Sequence, residues 1–202
     1  MNIEDILNTV PDKQFRWKAT TSLKWKRDMF LFFEDKNIVN ALEIGTNQGW
    51  TSYLLSYFSN KVYTIENSQH NYSIAQQHCS SRSNINFILG NAYEDESYIT
   101  VPNSINLCVI DCIHTYDKVK KDINRSLELR DLSSPFYLVF DDYSHPQSPG
   151  VRQAVDEFIS KSGNVKSIQE IGHNKGHKVN RDNGTSFTLN GPEGLILEYI
   201  DE

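Results

Sequence analysis

Carboxylates and glycines recur in this sequence just past short apolar runs. Ala41-Leu42-Glu43-Ile44 runs into Gly45-Thr46-Asn47-Gln48-Gly49, and Lys61 to Ile65 ends at Glu66. Asn86 to Leu89 ends at Gly90-Asn91-Ala92-Tyr93-Glu94, Ile105 to Ile110 at Asp111-Cys112-Ile113-His114, and Phe136 to Phe140 at Asp141-Asp142-Tyr143. Acids clustered along one sheet edge repel one another, so a purely structural role gives no reason for them. Their oxygens suit two tasks: binding a hydroxylated or cationic ligand, and holding a hard divalent cation such as magnesium. A histidine three residues past Asp111 adds a group able to take a proton near neutral pH.

The elements that position these groups follow from periodicity. The apolar runs read as strands. Thr51 to Phe58, Ser68 to Cys79, Tyr116 to Leu129 and the stretch from Pro149 through Ile159 read as helices. In the third of these, Val119, Ile123 and Leu127 recur every four residues on one face. Strands alternating with helices predict an α/β fold: a doubly wound, mostly parallel, Rossmann-like sheet with helices on both faces. Val165 to Ile171 and Leu195 to Ile200 predict a C-terminal antiparallel strand pair, with Phe187-Thr188-Leu189 as a further short strand. We expect one domain over 1–202, made of an N-terminal helical segment (1–40), a ligand-binding core (41–160) and the strand pair (161–202).

In such a sheet, ligands sit beyond the carboxyl ends of the strands. Glu43-x-Gly45-x-x-x-Gly49 places two glycines between a strand and a helix N-terminus, where backbone N–H groups suit an anion. The spacing is neither the Gly-x-Gly-x-x-Gly of dinucleotide folds nor a phosphate loop. The missing phosphate cradle points to a ligand carrying a carboxylate. Glu66, 21 residues past Gly45, would accept hydrogen bonds from two ribose hydroxyls. The plain alternative is an ordinary turn and a surface acid.

The segment Leu42 to Ser52 resembles motif I of class I S-adenosylmethionine-dependent methyltransferases, and Val62-Tyr63-Thr64-Ile65-Glu66 resembles the acidic strand that follows it. The likeness runs from about Leu42 to Phe158. Ile110-Asp111-Cys112-Ile113-His114-Thr115-Tyr116, with Val139-Phe140-Asp141-Asp142-Tyr143, resembles a metal-dependent subgroup. That subgroup includes macrocin-type sugar O-methyltransferases and cephalosporin-hydroxylase-like proteins. Its usual Asp-Gly-x-His-x-Tyr has Cys112 in place of glycine here, and Ser133-Ser134-Pro135 stands where Gly-Gly usually precedes the fifth strand.

The resemblance implies S-adenosylmethionine as cofactor, with Gly45, Thr46 and Gly49 under its methionine part and Glu43 helping to hold its ammonium. Glu66 would bind the ribose, and Asn91 and Ala92 would edge the adenine. Asp111 would contact the cofactor and, with Asp141 and Asp142, hold Mg2+; His114 would be the base. The implied reaction is methyl transfer to a hydroxyl of a sugar, glycoconjugate or other polyol. A nucleic-acid or other N-methyltransferase and a non-catalytic cofactor-binding scaffold are the alternatives. Against the first, the turn after the fourth strand lacks the Pro-Pro of amine-methylating enzymes, and the net charge of −6 argues against a broad nucleic-acid footprint.

Cys79, Cys108 and Cys112 lack paired spacing, which predicts a reducing compartment and core packing for Cys108. With no signal-like N-terminus and no long apolar run, we expect a cytoplasmic chain with a small-molecule partner and no membrane contact. Homo-oligomerisation is left open. Two basic stretches stand out. Lys13, Arg16, Lys18, Lys24, Lys26 and Arg27 are interleaved with Phe15, Trp17 and Trp25, and read as a helix with solvated charges or as an interaction surface. His173 to Arg181 reads as a loop, its Gly172 and Gly176 being incompatible with a metal-binding His-x-x-x-His helix.

Overall fold

The structure is a computed structural model that describes residues 3–10, 21–180 and 184–201. A seven-stranded sheet runs in the order β3-β2-β1-β4-β5-β9-β6. Its parallel part comprises β1 (Ile38–Ile44), β2 (Ser59–Glu66), β3 (Ile85–Leu89), β4 (Leu107–Ile110) and β5 (Phe136–Phe140). β9 (Gly194–Tyr199) inserts antiparallel between β5 and β6 (Val165–Ile171). The expected doubly wound sheet with its C-terminal antiparallel pair is therefore the observed architecture.

Both faces of the sheet are covered, and alternation along each strand decides which side chain meets which layer. Leu42, Ile44, Cys108, Ile110, Leu138 and Phe140 pack in one cluster with α5 (Tyr116–Glu128) and α6 (Pro149–Lys161). Ala41, Leu107, Val109, Tyr137 and Val139 pack in another with α2 (Leu23–Phe33) and α3 (Trp50–Leu55). α4 (Gln69–His78) follows β2, and the short α1 (Ile3–Leu7) leans on α2, where Arg27 pairs with Glu4 at 2.8 Å. Ser22 caps α2 by accepting from the Trp25 amide at 3.0 Å.

Register aligns the strand tips. Ile44 pairs with Ile65 on one side and Ile110 on the other; Ile65 pairs with Ile88, and Ile110 with Phe140. One residue further on, Glu66, Gly45, Asp111 and Asp141 stand in a row across the sheet. β1 and β4 are neighbours whose chains leave in opposite directions, which opens a crevice above them.

Two expectations change. Lys26 does not carry a solvated charge: its side chain is fully buried and its ammonium donates to the Thr21 carbonyl. A buried ammonium needs an acceptor, and the bend before α2 supplies one. Lys178–Asn180, read as loop, forms β7 and pairs antiparallel with β8 (Ser186–Thr188) as a separate ribbon. A strand this short, charged at one end, carries no periodicity of its own. Lys13, Phe15, Arg16, Trp17, Lys18 and Arg181 lie outside the described residues. Among the described residues, no helix is long and apolar enough to cross a membrane.

Candidate active site

The β1–α3 turn is built on two glycines. Gly45 takes φ 103°, and a Cβ there would lie 2.1 Å from the Asp111 carbonyl oxygen. Gly49, at φ 82°, is the N-cap of α3, and a Cβ there would lie 2.9 Å from the Ala75 Cβ on α4. The turn can therefore run hard against the β4 tip and against α4 only without side chains at these two positions. The Gly45 and Thr46 amides both donate to the Ile65 carbonyl, at 3.2 and 3.1 Å, and clamp the turn to β2.

Beneath the turn lies a buried polar knot. Glu43 is 1% exposed; its Oε2 accepts from Ser52 Oγ and, at 2.6 Å, from Thr64 Oγ1. Thr46 Oγ1 meets Thr64 Oγ1 at 2.5 Å. Burial pushes the Glu43 carboxyl up to about 8; the hydrogen bonds from Ser52 and Thr64 oppose this, and the charges of Asp111 and Glu66 add to it. Glu43 and the Thr46 hydroxyl thus support the turn from inside. Among the described residues, the partners Ser52 and Thr64 were not foreseen, since neither stands at a strand tip.

Glu43 makes a pH prediction. Its folded pKa lies above the ordinary carboxylate value, so stability is fully present below about pH 4.5 and is lost as pH rises through about 8. Glu43→Gln should flatten that decline, which we expect to be on the order of 3 kcal/mol. Urea melts of both proteins from pH 5 to pH 9 check it, and parallel declines would contradict it.

Glu66, at the β2 tip, accepts from the Asn47 amide at 2.7 Å on one oxygen and from the Ser68 amide at 2.8 Å on the other. These bonds fix the carboxylate plane. Asn47 itself sits at φ 46°, a conformation asparagine tolerates better than most residues. Beyond β3, Asn91 Oδ1 accepts from the Tyr93 amide at 3.1 Å, and the Ala92 carbonyl accepts from Tyr98 OH at 2.8 Å, which shapes the loop. Lys118 Nζ lies 3.6 Å from the Tyr93 ring centroid.

At the tips of β4 and β5, one imidazole stands between two acids. His114 Nε2 lies 3.3 Å from Asp111 Oδ1, and His114 Nδ1 lies 3.6 Å from Asp142 Oδ2. Asp142 takes φ 54°, which turns it off the line of β5. Asp141 is buried at 4% exposure. Burial alone would lower the His114 pKa, but the Asp111 hydrogen bond and the charges of Asp111, Asp142 and Asp141 outweigh it and raise it to about 9. Among the described residues, no three His, Cys, Asp or Glu side chains are grouped so as to hold a metal ion. Of the three acids that the sequence resemblance assigns to Mg2+, Asp111 and Asp142 flank the His114 imidazole on its two sides.

The remaining features are structural. All three cysteines are free; Cys108 is buried and accepts from Ser126 Oγ at 3.0 Å. His173 and His177 lie in the β6–β7 loop with rings stacked 3.6 Å apart. Sequence reasoning also passed over Trp50, which lines the small cleft formed by Gly45, Asn47, Gln48, Thr51 and Asp111. Its ring stacks on His78 at 4.1 Å.

Comparison with known proteins agrees with this geometry. A family model described as a methyltransferase domain matches residues 42–143, just over half of the 202-residue chain. No curated protein sequence matches. The fold is similar to an O-methyltransferase from Bacillus cereus solved with S-adenosylhomocysteine (SAH), at 16% identity and TM-score 0.66, covering 98% of this chain and 90% of that one. It is equally similar to the O-methyltransferase TomG from Streptomyces achromogenes solved with S-adenosylmethionine, at 16% identity and TM-score 0.66, covering 99% and 89%. A tRNA (m1A58) methyltransferase from Aquifex aeolicus shares the fold at 14% identity and TM-score 0.65, covering 100% and 77%. On the family match, the chain belongs to the methyltransferase-domain family and is a class I S-adenosylmethionine-dependent methyltransferase.

Proposed function

We propose that this enzyme transfers the methyl group of S-adenosylmethionine to a hydroxyl of a sugar, glycoconjugate or other polyol. The observation that carries this reading is the His114 imidazole held between Asp111 and Asp142, one strand away from the Gly45 turn. In this reading the cofactor's methionine part lies on Gly45, Thr46 and Gly49, with Glu43 behind them. Its ribose hydroxyls bind Glu66, and its adenine lies along Asn91 and Ala92. Asp111 would stand near its sulfonium end.

The acceptor oxygen attacks the methyl carbon in line with the departing sulfur. The C–S bond breaks, its electron pair stays on sulfur as a thioether, and the hydroxyl proton passes to neutral His114. Asp111 and Asp142 then stabilise the imidazolium. The sulfonium supplies the reactivity, and the chain supplies orientation and charge.

Magnesium, implied by the sequence resemblance, would take Asp111, Asp141 and Asp142 and would compete with His114 for two of them. The deciding experiment measures SAH formation over a panel of glycosides, inositol and catechol, in magnesium and in chelator. Turnover only in magnesium assigns the carboxylates to a metal; equal turnover assigns them to His114; no turnover on any hydroxyl sinks the reading. Calorimetric titration of SAH into Glu66→Ala should show affinity about tenfold or more below wild type, and unimpaired binding would remove Glu66 from the ribose.

A further inference from the structure

A cavity of about 400 Å³ opens beside the tip of β5, lined by none of the residues assigned above to the cofactor or to the base. Its floor is Tyr143 and Ser144, the two residues directly after Asp142. Its wall is the first turns of α6, with Arg152, Gln153 and Asp156, and Asn190 closes it from the β8–β9 loop.

The fold ties this cavity to the reacting groups. The His145 amide donates to the Asp142 carbonyl at 3.1 Å, so the floor is a single turn away from that carboxylate. On the other side, the start of α6 abuts the His114 segment: a Cβ on Gly150 would lie 2.9 Å from the His114 carbonyl oxygen. The Asn190 amide donates to the Ser144 carbonyl at 3.2 Å, which holds wall to floor. The β7–β8 ribbon caps the turn through Phe187, whose ring lies 4.2 Å from that of His145.

The lining describes a ligand. Arg152 Nε lies 3.6 Å from Asp156 Oδ2, so among the Arg, Lys, Asp and Glu side chains of the lining one positive charge faces one negative. The guanidinium and the two amides are planar forks, each able to engage two neighbouring oxygens at once. Tyr143 OH donates to Asp156 at 2.5 Å, leaving its ring as an apolar surface. Ser144 is 4% exposed, and its hydroxyl has no hydrogen-bond partner. A buried hydroxyl normally has one, and a small rotation of this side chain would turn the oxygen toward the cavity that Ser144 lines. Gly191 keeps the space beside it open, since a Cβ there would lie 2.4 Å from Ser144 Oγ.

We propose that this cavity is the acceptor site and that it takes an uncharged molecule bearing adjacent hydroxyls, hydrogen-bonded by Ser144, Arg152, Gln153, Asp156 and Asn190. This rests on the reading of the chain as an enzyme that methylates hydroxyls. The cavity, rather than the strand tips, selects the acceptor, and its floor and the start of α6, which adjoin the Asp142 and His114 backbone, direct it toward those residues.

The test is amide chemical-shift mapping of isotopically labelled protein saturated with SAH, titrated with methyl β-D-glucopyranoside and separately with D-glucuronate. The glucoside should shift the amides of Tyr143, Ser144, Arg152, Gln153 and Asn190, and glucuronate should not. Arg152→Ala and Asn190→Ala should each weaken the glucoside about fivefold or more while SAH affinity stays at the wild-type value. Bound SAH with unmoved cavity signals, or glucoside affinity unchanged in both variants, would overturn the acceptor assignment alone. Glucuronate binding as well as the glucoside would overturn the uncharged class. Failure of SAH to bind at all would overturn the functional reading and this assignment with it.

Discussion

Gly45→Ala is expected to abolish SAH binding and to destabilise the fold by about 3 kcal/mol or more. Two costs act together. The residue holds φ 103°, a conformation that costs an L-side chain roughly 1–3 kcal/mol. The new Cβ would also stand 2.1 Å from the Asp111 carbonyl oxygen and 2.7 Å from its carbon. Both neighbours are backbone in the middle of the sheet, where β4 is buried throughout, so neither yields cheaply. Relief requires the β1–α3 turn to lift from β2 or the β4 tip to move, and the second displaces Asp111 and His114 together. Gly163→Ala is the control: its Cβ would meet nothing within 4 Å. Denaturant melts and SAH calorimetry on both variants measure the effect. Wild-type cofactor affinity in Gly45→Ala would show that the turn does not carry the ligand.

His114→Ala is expected to lower turnover by about 10²–10⁴ while leaving SAH affinity unchanged. In metal-free wild type the rate should climb about tenfold per pH unit from pH 7 and level off near pH 9. The sign follows from the neighbours. Asp111 and Asp142 favour the charged imidazole, so the neutral form that accepts a proton is scarce below about 9 and grows as pH rises. The same shift means that His114 contributes stability fully below its ordinary pKa of 6.5, and that this is lost as pH rises through about 9. Asp142→Asn removes one of the three supporting charges and should move the rise in rate to lower pH. A rate flat from pH 6 to pH 10 in wild type would exclude His114 as the base.

Much of this site was legible along the chain because strand tips leave local marks. An apolar run that stops at Gly45, Glu66, Asp111 or Asp141 announces both the strand and the residue it delivers. Parallel pairing in register then sets those residues side by side. The three-residue interval from Asp111 to His114 likewise proved short enough for contact at 3.3 Å.

What escaped depended on groups far apart in sequence. Lys26 looked like one charge among several in a basic stretch, and only the packing of α2 on the sheet shows its ammonium withdrawn from water. Asp122 lies on α5, where its position reads as an ordinary helical acid. It is 1% exposed, and burial raises its pKa to about 7 against the Tyr93 hydrogen bond and the charges of Lys118 and His114. The cavity beside the β5 tip combines β5–α6 residues with Asn190, a residue 46 positions later in the chain than Ser144.

Periodicity and tip residues were enough to establish the α/β class, the order of its elements and the acids and glycines at the crevice, because these depend on intervals of a few residues. Folding in three dimensions settled which charges are buried, which acids share the imidazole and where a substrate-sized space remains. Those outcomes depend on desolvation and on distances between chain segments, and no local interval encodes either.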